Sequence, residues 1–207
     1  MKALIMIDIQ KDFLPGGSLE VEDGDKIIPV VNRLQEHFDM VVATQDWHPR
    51  DHKSFASNHP GKEPGDHVDL EGIDQVLWPD HCVQDSPGAE WPGELHTDKI
   101  VKVIRKGIDP LVDSYSGFYD NQHRRATGLH DVLRKHGISF LALTGLAADV
   151  CVKYTALDAL MLGYEVFLVS DATRAVEGDK VLRKVLQELS EKGARVVTAE
   201  EAIRLLA

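Results

Sequence analysis

Short apolar runs alternate along the chain with longer segments whose apolar residues recur at helical spacing. The short runs are β-branched and nearly continuous, as expected of strands that are buried on both faces of a sheet. They predict strands at residues 2–8, 39–44, 100–104, 139–144, 164–170 and 194–197. The helical spacing predicts helices at residues 24–37, 124–136, 148–162, 177–192 and 199–206.

The order of these elements indicates the fold class. Strands that alternate with helices build parallel sheets, because the helix carries the chain back to the start of the next strand. Glycines follow three of the predicted helices, where a helix often ends in the left-handed conformation: Gly137, Gly163 and Gly193. We predict one α/β domain over residues 1–207, with a doubly wound, mostly parallel six-stranded sheet and helices on both faces.

One long segment, at about residues 45–99, interrupts the alternation. It is rich in Pro, Gly, His and Asp and shows little periodicity. An irregular segment of this length inside a compact domain is usually functional. Six of the ten histidines lie in it: His48, His52, His59, His67, His81 and His96. We therefore predict a long loop insertion that binds a metal.

Charge and cysteine content narrow the environment and the partners. The net charge of −11 argues against binding to nucleic acid or to an anionic membrane, and no apolar run has the length of a membrane span. The two cysteines, Cys82 and Cys151, are too few for a disulfide framework and fit the reducing cytoplasm. The apolar helix faces fit packing against either the sheet or a second subunit, so the sequence leaves open whether the protein forms a homo-oligomer.

Chemically active side chains follow the predicted strands. Asp8 ends the first strand, Asp46 and His48 follow the second, Lys106 follows the third and Cys151 follows the fourth. Ligands of open parallel sheets bind beyond the carboxyl ends of the strands. We therefore expect two carboxylates, an imidazole, an ammonium and a thiol to meet at one edge of the sheet.

Cys151 and Asp8 each allow two interpretations. Cys151 is either a small core residue or a nucleophile at the start of a helix, where backbone N–H groups favour the thiolate. The small residues Gly145, Ala147 and Ala148 before it allow backbone amides to approach a ligand and form an oxyanion hole. Asp8 is either a cap or turn residue, or a working carboxylate at a strand end.

A metal site is suggested by the segment "TQDWHPRDH". Asp46 and His48 are two residues apart, and His81 in "WPDHC" is a candidate for a distant third ligand. One carboxylate and two imidazoles suit zinc, iron or manganese. The alternative is that this Pro-rich loop packs around Trp47 and Trp78 without binding a metal.

Five segments in order carry a resemblance to a known family: "LIMIDIQKDFLPGGSL", "TQDWHPRDHKSFASNH", "LWPDHCVQDSPGAE", "VIRKGIDPLVDSYSGF" and "LTGLAADVCVKYTALDA". Over essentially its whole length the chain resembles the nicotinamidases (pyrazinamidases) of the isochorismatase-like cysteine hydrolase superfamily. The resemblance implies a catalytic triad of Asp8, Lys106 and Cys151. It also implies an oxyanion hole made by the amides of Ala147 and Cys151, and a cis peptide bond between Leu146 and Ala147.

The resemblance also implies a cofactor and a substrate pocket. Asp46, His48 and His81 would bind one divalent metal ion, with zinc as the first candidate and iron or manganese as alternatives. His52 matches a fourth ligand that only some members have. Four residues match positions that line the pocket of the family, although ordinary core packing would also explain them: Phe13, Leu19, Trp78 and Tyr115.

The activity that the resemblance implies is hydrolysis of nicotinamide to nicotinate and ammonia through a cysteine thioester, in NAD salvage, with deamidation of pyrazinamide as a related reaction. Two alternatives stay open. One is another cysteine amidase of the superfamily that acts on N-carbamoyl compounds, although such relatives generally lack the metal loop. The other is a non-catalytic metal-binding or redox module with Cys151 as its reactive thiol.

Overall fold

The centre of the fold is a six-stranded sheet whose neighbouring strands all run parallel. The computed structural model describes residues 1–70 and 72–206. In chain order its strands are β1 (Lys2–Ile7), β2 (Met40–Asp46), β3 (His67–Leu70), β4 (Ile73–Val76), β5 (Ile100–Lys106), β6 (Phe140–Leu146), β7 (Glu165–Arg174) and β8 (Arg195–Val197). The sheet order is β5-β2-β1-β6-β7-β8, so the chain winds outward from β1 in both directions and the predicted doubly wound sheet is confirmed.

Helices cover both faces of this sheet, as predicted. They are α1 (Ile28–Leu34), α2 (Leu129–Lys135), α3 (Lys153–Met161), α4 (Asp179–Glu191) and α5 (Ala199–Leu206). Successive side chains of a strand point to opposite faces. In β1, Leu4 and Met6 therefore pack with α1 and α5, whereas Ile5 and Ile7 pack with α2, α3 and α4. Burial on both faces explains why the strands read as continuous apolar runs.

Three of the predicted helices differ from the prediction. The segment predicted at 24–37 is α-helical only over Ile28–Leu34, between 3₁₀ turns at Gly24–Ile27 and Gln35–His37. The segment predicted as a helix at 124–136 becomes helical only at Leu129, because the carboxylate of Asp120 accepts backbone N–H groups of the residues that follow it and holds them in a compact loop. The segment predicted at 148–162 opens with a π-helical turn, Ala148–Val152, before α3 begins.

The segment between β2 and β5 contains regular structure that the sequence analysis missed. β3 and β4 pair as an antiparallel hairpin, and Gly72 before β4 has a φ of +89°. Within β3, Val68 and Leu70 are half-buried and alternate with exposed residues, which is the pattern of a hairpin strand. Each strand is only four residues long, so the pattern is short.

The fold places the carboxyl ends of β5, β2, β1 and β6 side by side. β1 and β6 are adjacent, and the chain winds away from them in opposite directions, which makes this the switch point of the sheet. β2 and β5 both run two residues beyond their predicted ends and bring Asp46 into register with Lys106. The predicted gathering of polar groups therefore has its structural basis in strand register.

Two further features concern the environment of the chain. Cys82 and Cys151 are both buried and neither forms a disulfide. Across residues 1–70 and 72–206, the structure contains no helix that is long and apolar enough to cross a membrane.

Candidate active site

Three side chains from different strand ends meet at the switch point. Asp8 follows β1, Lys106 ends β5, and Cys151 lies in the π-helical turn after β6. The ammonium nitrogen Nζ of Lys106 is 2.9 Å from Oδ2 of Asp8 and 3.4 Å from Sγ of Cys151. The structure therefore brings together the carboxylate, the ammonium and the thiol that the resemblance pairs.

Lys106 is almost completely buried and lies among acceptors. Besides Asp8 and Cys151, its Nζ donates to Oδ1 of Asp46 at 2.5 Å and to the carbonyl oxygen of Ser114 at 2.8 Å. Burial alone would lower the pKa of Lys106, but Asp46 and Asp8 outweigh it and raise that pKa well above its ordinary value. The ammonium is thus permanently charged and holds both carboxylates in place.

Asp8 is positioned by its backbone and by Thr44. The residue has a φ of +48°, and its N–H donates to Oγ1 of Thr44 at 3.2 Å, while that hydroxyl donates to Oδ1 of Asp8 at 2.6 Å. Burial raises the pKa of Asp8 to about 6, against the opposing effect of Lys106. Asp8 is therefore ionised at neutral pH but is far more basic than an exposed aspartate.

The thiol of Cys151 is protonated in the resting site. Burial raises its pKa well above the ordinary value, Asp8 and Asp46 raise it further, and Lys106 opposes them. Loss of solvation and the two carboxylates therefore oppose the thiolate that the start of the helix is expected to favour. A carboxylate oxygen of Asp8 lies within 4.8 Å of the sulfur, so a proton acceptor is already close to the thiol.

The turn between β6 and Cys151 packs tightly against the backbone at the end of β1. The peptide bond between Leu146 and Ala147 is cis, as the resemblance implies. Gly145 has a φ of +113°, and a Cβ atom there would lie 2.0 Å from the carbonyl oxygen of Ile7. Only glycine fits that contact. Ala147 and Cys151 consequently line the same cavity, next to the thiol.

A second group of buried residues can hold a metal ion. Asp46, His48 and His81 each offer a ligand atom, and these atoms lie within 4.8 Å of one another. Nδ1 of His48 donates to the carbonyl of Gly107 at 2.9 Å, and Nδ1 of His81 donates to that of Pro79 at 2.8 Å. Both imidazoles therefore keep Nε2 free as a ligand, which is the usual arrangement around a protein-bound metal.

The charge on Asp46 also suits a metal ligand. Burial would raise the pKa of this carboxyl, but Lys106 and His48 outweigh burial and hold the pKa well below its ordinary range. Lys106 and His48 thus favour the anionic form of Asp46. Nitrogen and carboxylate donors in this number fit a divalent transition metal, so the residues present fit the implied cofactor.

His52 lies apart from that trio, in a second group with His48 and Asp113 whose ligand atoms are also within 4.8 Å of one another. Its Nδ1 is 2.7 Å from Oγ of Ser54, and its buried Nε2 has no hydrogen-bond partner in the described structure. Burial lowers the pKa of His52 to about 4, so the ring is neutral. An unpaired imidazole nitrogen beside a metal-ligand group points to a ligand from outside the chain.

One cavity is lined both by Cys151 and by the metal-ligand group of Asp46, His48 and His81. All four residues that the resemblance assigned to the pocket line it, and Asp113, Val150 and Val176 do so as well. Val176 is held by Asp149, whose Oδ1 accepts its N–H at 3.0 Å. The sequence analysis missed these additional lining residues, although Asp113 and Val150 lie within the quoted segments "VIRKGIDPLVDSYSGF" and "LTGLAADVCVKYTALDA".

Gln10 is a further residue that the sequence analysis missed. Its side-chain amide pairs with the backbone of Asp46: Nε2 donates to the carbonyl at 2.8 Å and Oε1 accepts the N–H at 2.8 Å. Nε2 also donates to the carbonyl of Ala89 at 3.0 Å. Gln10 is fully buried, and a buried amide in "IDIQ" is the signal that could have found it.

Comparison with known proteins gives the same family over the whole chain. The family model "Isochorismatase domain" matches residues 2–201. The nicotinamidase of Escherichia coli (strain K12) is 47% identical over 95% of this chain and 94% of its own length. Identity at this level over nearly complete chains shows a common fold and family.

Solved structures agree with the fold. An Acinetobacter baumanii nicotinamidase/pyrazinamidase superimposes with a TM-score of 0.93 at 40% identity, covering 97% of each chain. The L. infantum protein solved in complex with nicotinate has a TM-score of 0.84 at 37% identity, covering 97% of this chain and 93% of its own.

A Pyrococcus horikoshii pyrazinamidase in complex with zinc has a TM-score of 0.78 at 37% identity, covering 95% of this chain and 98% of its own. Together with the buried donors of Asp46, His48 and His81, this similarity supports a divalent metal in the present site. The family model over residues 2–201 and the similarity to relatives over nearly complete chains show that the chain belongs to the isochorismatase domain family.

Proposed function

We propose that this protein is a nicotinamidase, which hydrolyses nicotinamide to nicotinate and ammonia and also deamidates pyrazinamide. The observation that carries the proposal is the buried thiol of Cys151 beside Asp8 and Lys106, facing a cavity that also exposes a metal-ligand group. A relative named nicotinamidase at 47% identity and a nicotinamidase/pyrazinamidase structure at 40% identity support the assignment. By this proposal the protein acts in NAD salvage.

The first half of the reaction forms a thioester. Asp8 takes the proton of the Cys151 thiol as sulfur attacks the carboxamide carbon, so charge moves onto the carbonyl oxygen. The amides of Ala147 and Cys151 are assigned to that oxygen, and one such donor typically contributes about 3 kcal/mol. Asp8 then returns the proton to the leaving nitrogen, the C–N bond breaks and ammonia departs.

The second half releases the acid. Asp8, again ionised, takes a proton from a water molecule while the oxygen of that water attacks the thioester carbon. The carbon–sulfur bond breaks and Asp8 returns the proton to sulfur. The carboxylic acid product loses its own proton to solvent and leaves as nicotinate. Lys106 keeps its charge throughout, because two carboxylates raise its pKa. Its role is to hold Asp8 ionised and oriented between the two steps.

For the metal we propose zinc, held by Asp46, His48 and His81, with His52 as a further ligand. A zinc ion bound there would supply a Lewis acid that holds and polarises the ring nitrogen of the substrate. The rest of the pocket, Phe13, Leu19, Trp78 and Tyr115, would enclose the flat ring. Iron and manganese suit the same donor set.

The direct test is to incubate the purified protein with nicotinamide and measure nicotinate by chromatography and ammonia by a coupled assay. We expect equal amounts of both products, and loss of turnover after treatment with a chelator that is reversed by added zinc. An N-carbamoyl substrate is tested in parallel. Turnover of that compound but not of nicotinamide would favour the other amidase class, and thiol oxidation without amide hydrolysis would favour a redox module.

We predict that His48→Ala lowers metal content as well as activity. The variant loses one of the proposed ligands, so elemental analysis should find less than about a tenth of the wild-type metal after dialysis. The loss of even an outer partner of a ligand typically costs 10–100-fold in affinity. His67→Ala is the matched control, because His67 is exposed on β3 and pairs with Asp74. Unchanged metal in His48→Ala would remove His48 from the ligand set.

A further inference from the structure

The hairpin of β3 and β4 presents one buried polar side chain to the body of the protein. Gln75 on β4 is 2% exposed, whereas Asp74 beside it is exposed. Nε2 of Gln75 donates to the carbonyl of Val76 at 2.7 Å and to the hydroxyl of Tyr115 at 2.8 Å. A short surface hairpin is thereby bonded to a residue that lines the cavity.

The hydroxyl of Tyr115 receives a second hydrogen bond, from the indole N–H of Trp78 at 3.2 Å. The phenol oxygen of Tyr115 therefore accepts two hydrogen bonds, one from Gln75 and one from Trp78. The rings of Trp78 and Tyr115 are 6.4 Å apart and almost perpendicular, at 80°. Both rings line the cavity that holds Cys151.

The two aromatic residues are anchored independently of Gln75. The backbone of Trp78 donates to the carbonyl of Ser54 at 2.8 Å and accepts the N–H of Ala56 at 2.9 Å. The N–H of Tyr115 donates to Oδ1 of Asn121 at 2.9 Å. The backbones are therefore held, and what Gln75 adds is the orientation of the Tyr115 side chain against Trp78.

We propose that Gln75 is a positioning residue for substrate binding: by fixing Tyr115 against Trp78 it shapes a flat slot for a planar heteroaromatic carboxamide. The inference rests on the proposed function and extends it to a residue that does not touch the substrate. Without the amide of Gln75, the hydroxyl of Tyr115 loses one of its two donors and the ring gains freedom. Ring binding weakens, whereas the chemistry at Cys151, Asp8 and Lys106 is untouched.

The test compares Gln75→Leu, Tyr115→Phe and the double variant. One net hydrogen bond corresponds to roughly a 3- to 10-fold change in binding. We expect each single variant to raise the KM for nicotinamide by about that factor with kcat within about twofold. The double variant should be no worse than Tyr115→Phe alone, because the bond from Gln75 is already lost with the Tyr115 hydroxyl. Asp74→Ala, the exposed neighbour on β4, should match the wild type.

Binding is also measured without turnover, by titrating nicotinate into Cys151→Ala with and without Gln75→Leu, with folding checked by thermal unfolding. The dissociation constant should rise by the same factor as KM. An unchanged KM and dissociation constant, an equal fall in kcat and kcat/KM, or additive effects in the double variant would each overturn the inference.

If the wild type hydrolyses no nicotinamide but Cys151→Ala binds nicotinate, the proposed function fails and the role of Gln75 is still measured by that titration. If nicotinate does not bind at all, both fail. Should Gln75→Leu not fold, Gln75→Met, which keeps an unbranched side chain of similar length without the amide, replaces it in the same titration.

Discussion

Replacing Cys151 with alanine is expected to lower kcat for nicotinamide by at least about 10⁴-fold, as removal of a covalent nucleophile does in other hydrolases. The sulfur lies 3.4 Å from Nζ of Lys106 and within 4.8 Å of a carboxylate oxygen of Asp8, and no backbone group can replace it as the atom that bonds to carbon. Ammonia release measures the loss. Nicotinate should still bind, because the metal ligands and the aromatic walls are unchanged.

Cys82→Ala is the matched control. Like Cys151, Cys82 is buried and forms no disulfide, and burial raises its pKa. Unlike Cys151, it does not line the cavity. Its contact with Asp12 uses the backbone N–H, at 2.7 Å, and survives the substitution. We expect turnover within about twofold of the wild type, as for a small core change that leaves the site intact. Turnover by Cys151→Ala within tenfold of the wild type would refute the cysteine mechanism.

Lys106→Met is expected to lower both stability and activity. It leaves Asp8 and Asp46 as buried carboxylates without their cation, and breaking a buried ion pair from one side typically costs about 3–5 kcal/mol in the free energy of unfolding. For a chain of this size that corresponds to a fall of roughly 6–20 °C in the melting temperature. Calorimetry on chelator-treated protein measures it without a contribution from bound metal.

The stability loss of this variant should depend on pH. Burial already raises the pKa of Asp8 to about 6 while Lys106 opposes it, so removal of the lysine raises that pKa further. Since the folded state then binds a proton more tightly than the unfolded state, the variant gains stability as pH falls through the raised pKa. At neutral pH more of Asp8 is protonated, so the base for the thiol is lost and kcat falls.

Lys102→Met is the control for the lysine prediction. Lys102 lies on the same strand, β5, but its side chain is exposed. Surface substitutions of this kind usually change the free energy of unfolding by less than about 0.5 kcal/mol. If Lys106→Met were as stable as Lys102→Met, the ammonium would not be what compensates the two carboxylates.

Local patterns were sufficient for most of the fold. Each strand of the six-stranded sheet carries its own apolar signal, since burial on both faces requires it. The positions of Asp8, Lys106 and Cys151 after their strands also follow from the sequence, because parallel strands end at a common edge. The errors lie where other contacts override the helical spacing or where a pattern is too short. Asp120 delays the start of α2, and the hairpin of β3 and β4 is too short for its pattern to stand out.

By itself, then, the sequence determined the strands, the helices and which side chains stand at the edge where chemistry is possible. Only the tertiary structure decided that Asp46 and Lys106 are neighbours in register, that Cys151 rests as a thiol, and that Gln10 and Gln75 hold other side chains in place. The physical reason is that periodicity reports only whether a residue is buried. Hydrogen-bond partners and pKa values depend on groups that lie 30 to 60 positions away in the chain and meet only when the sheet forms.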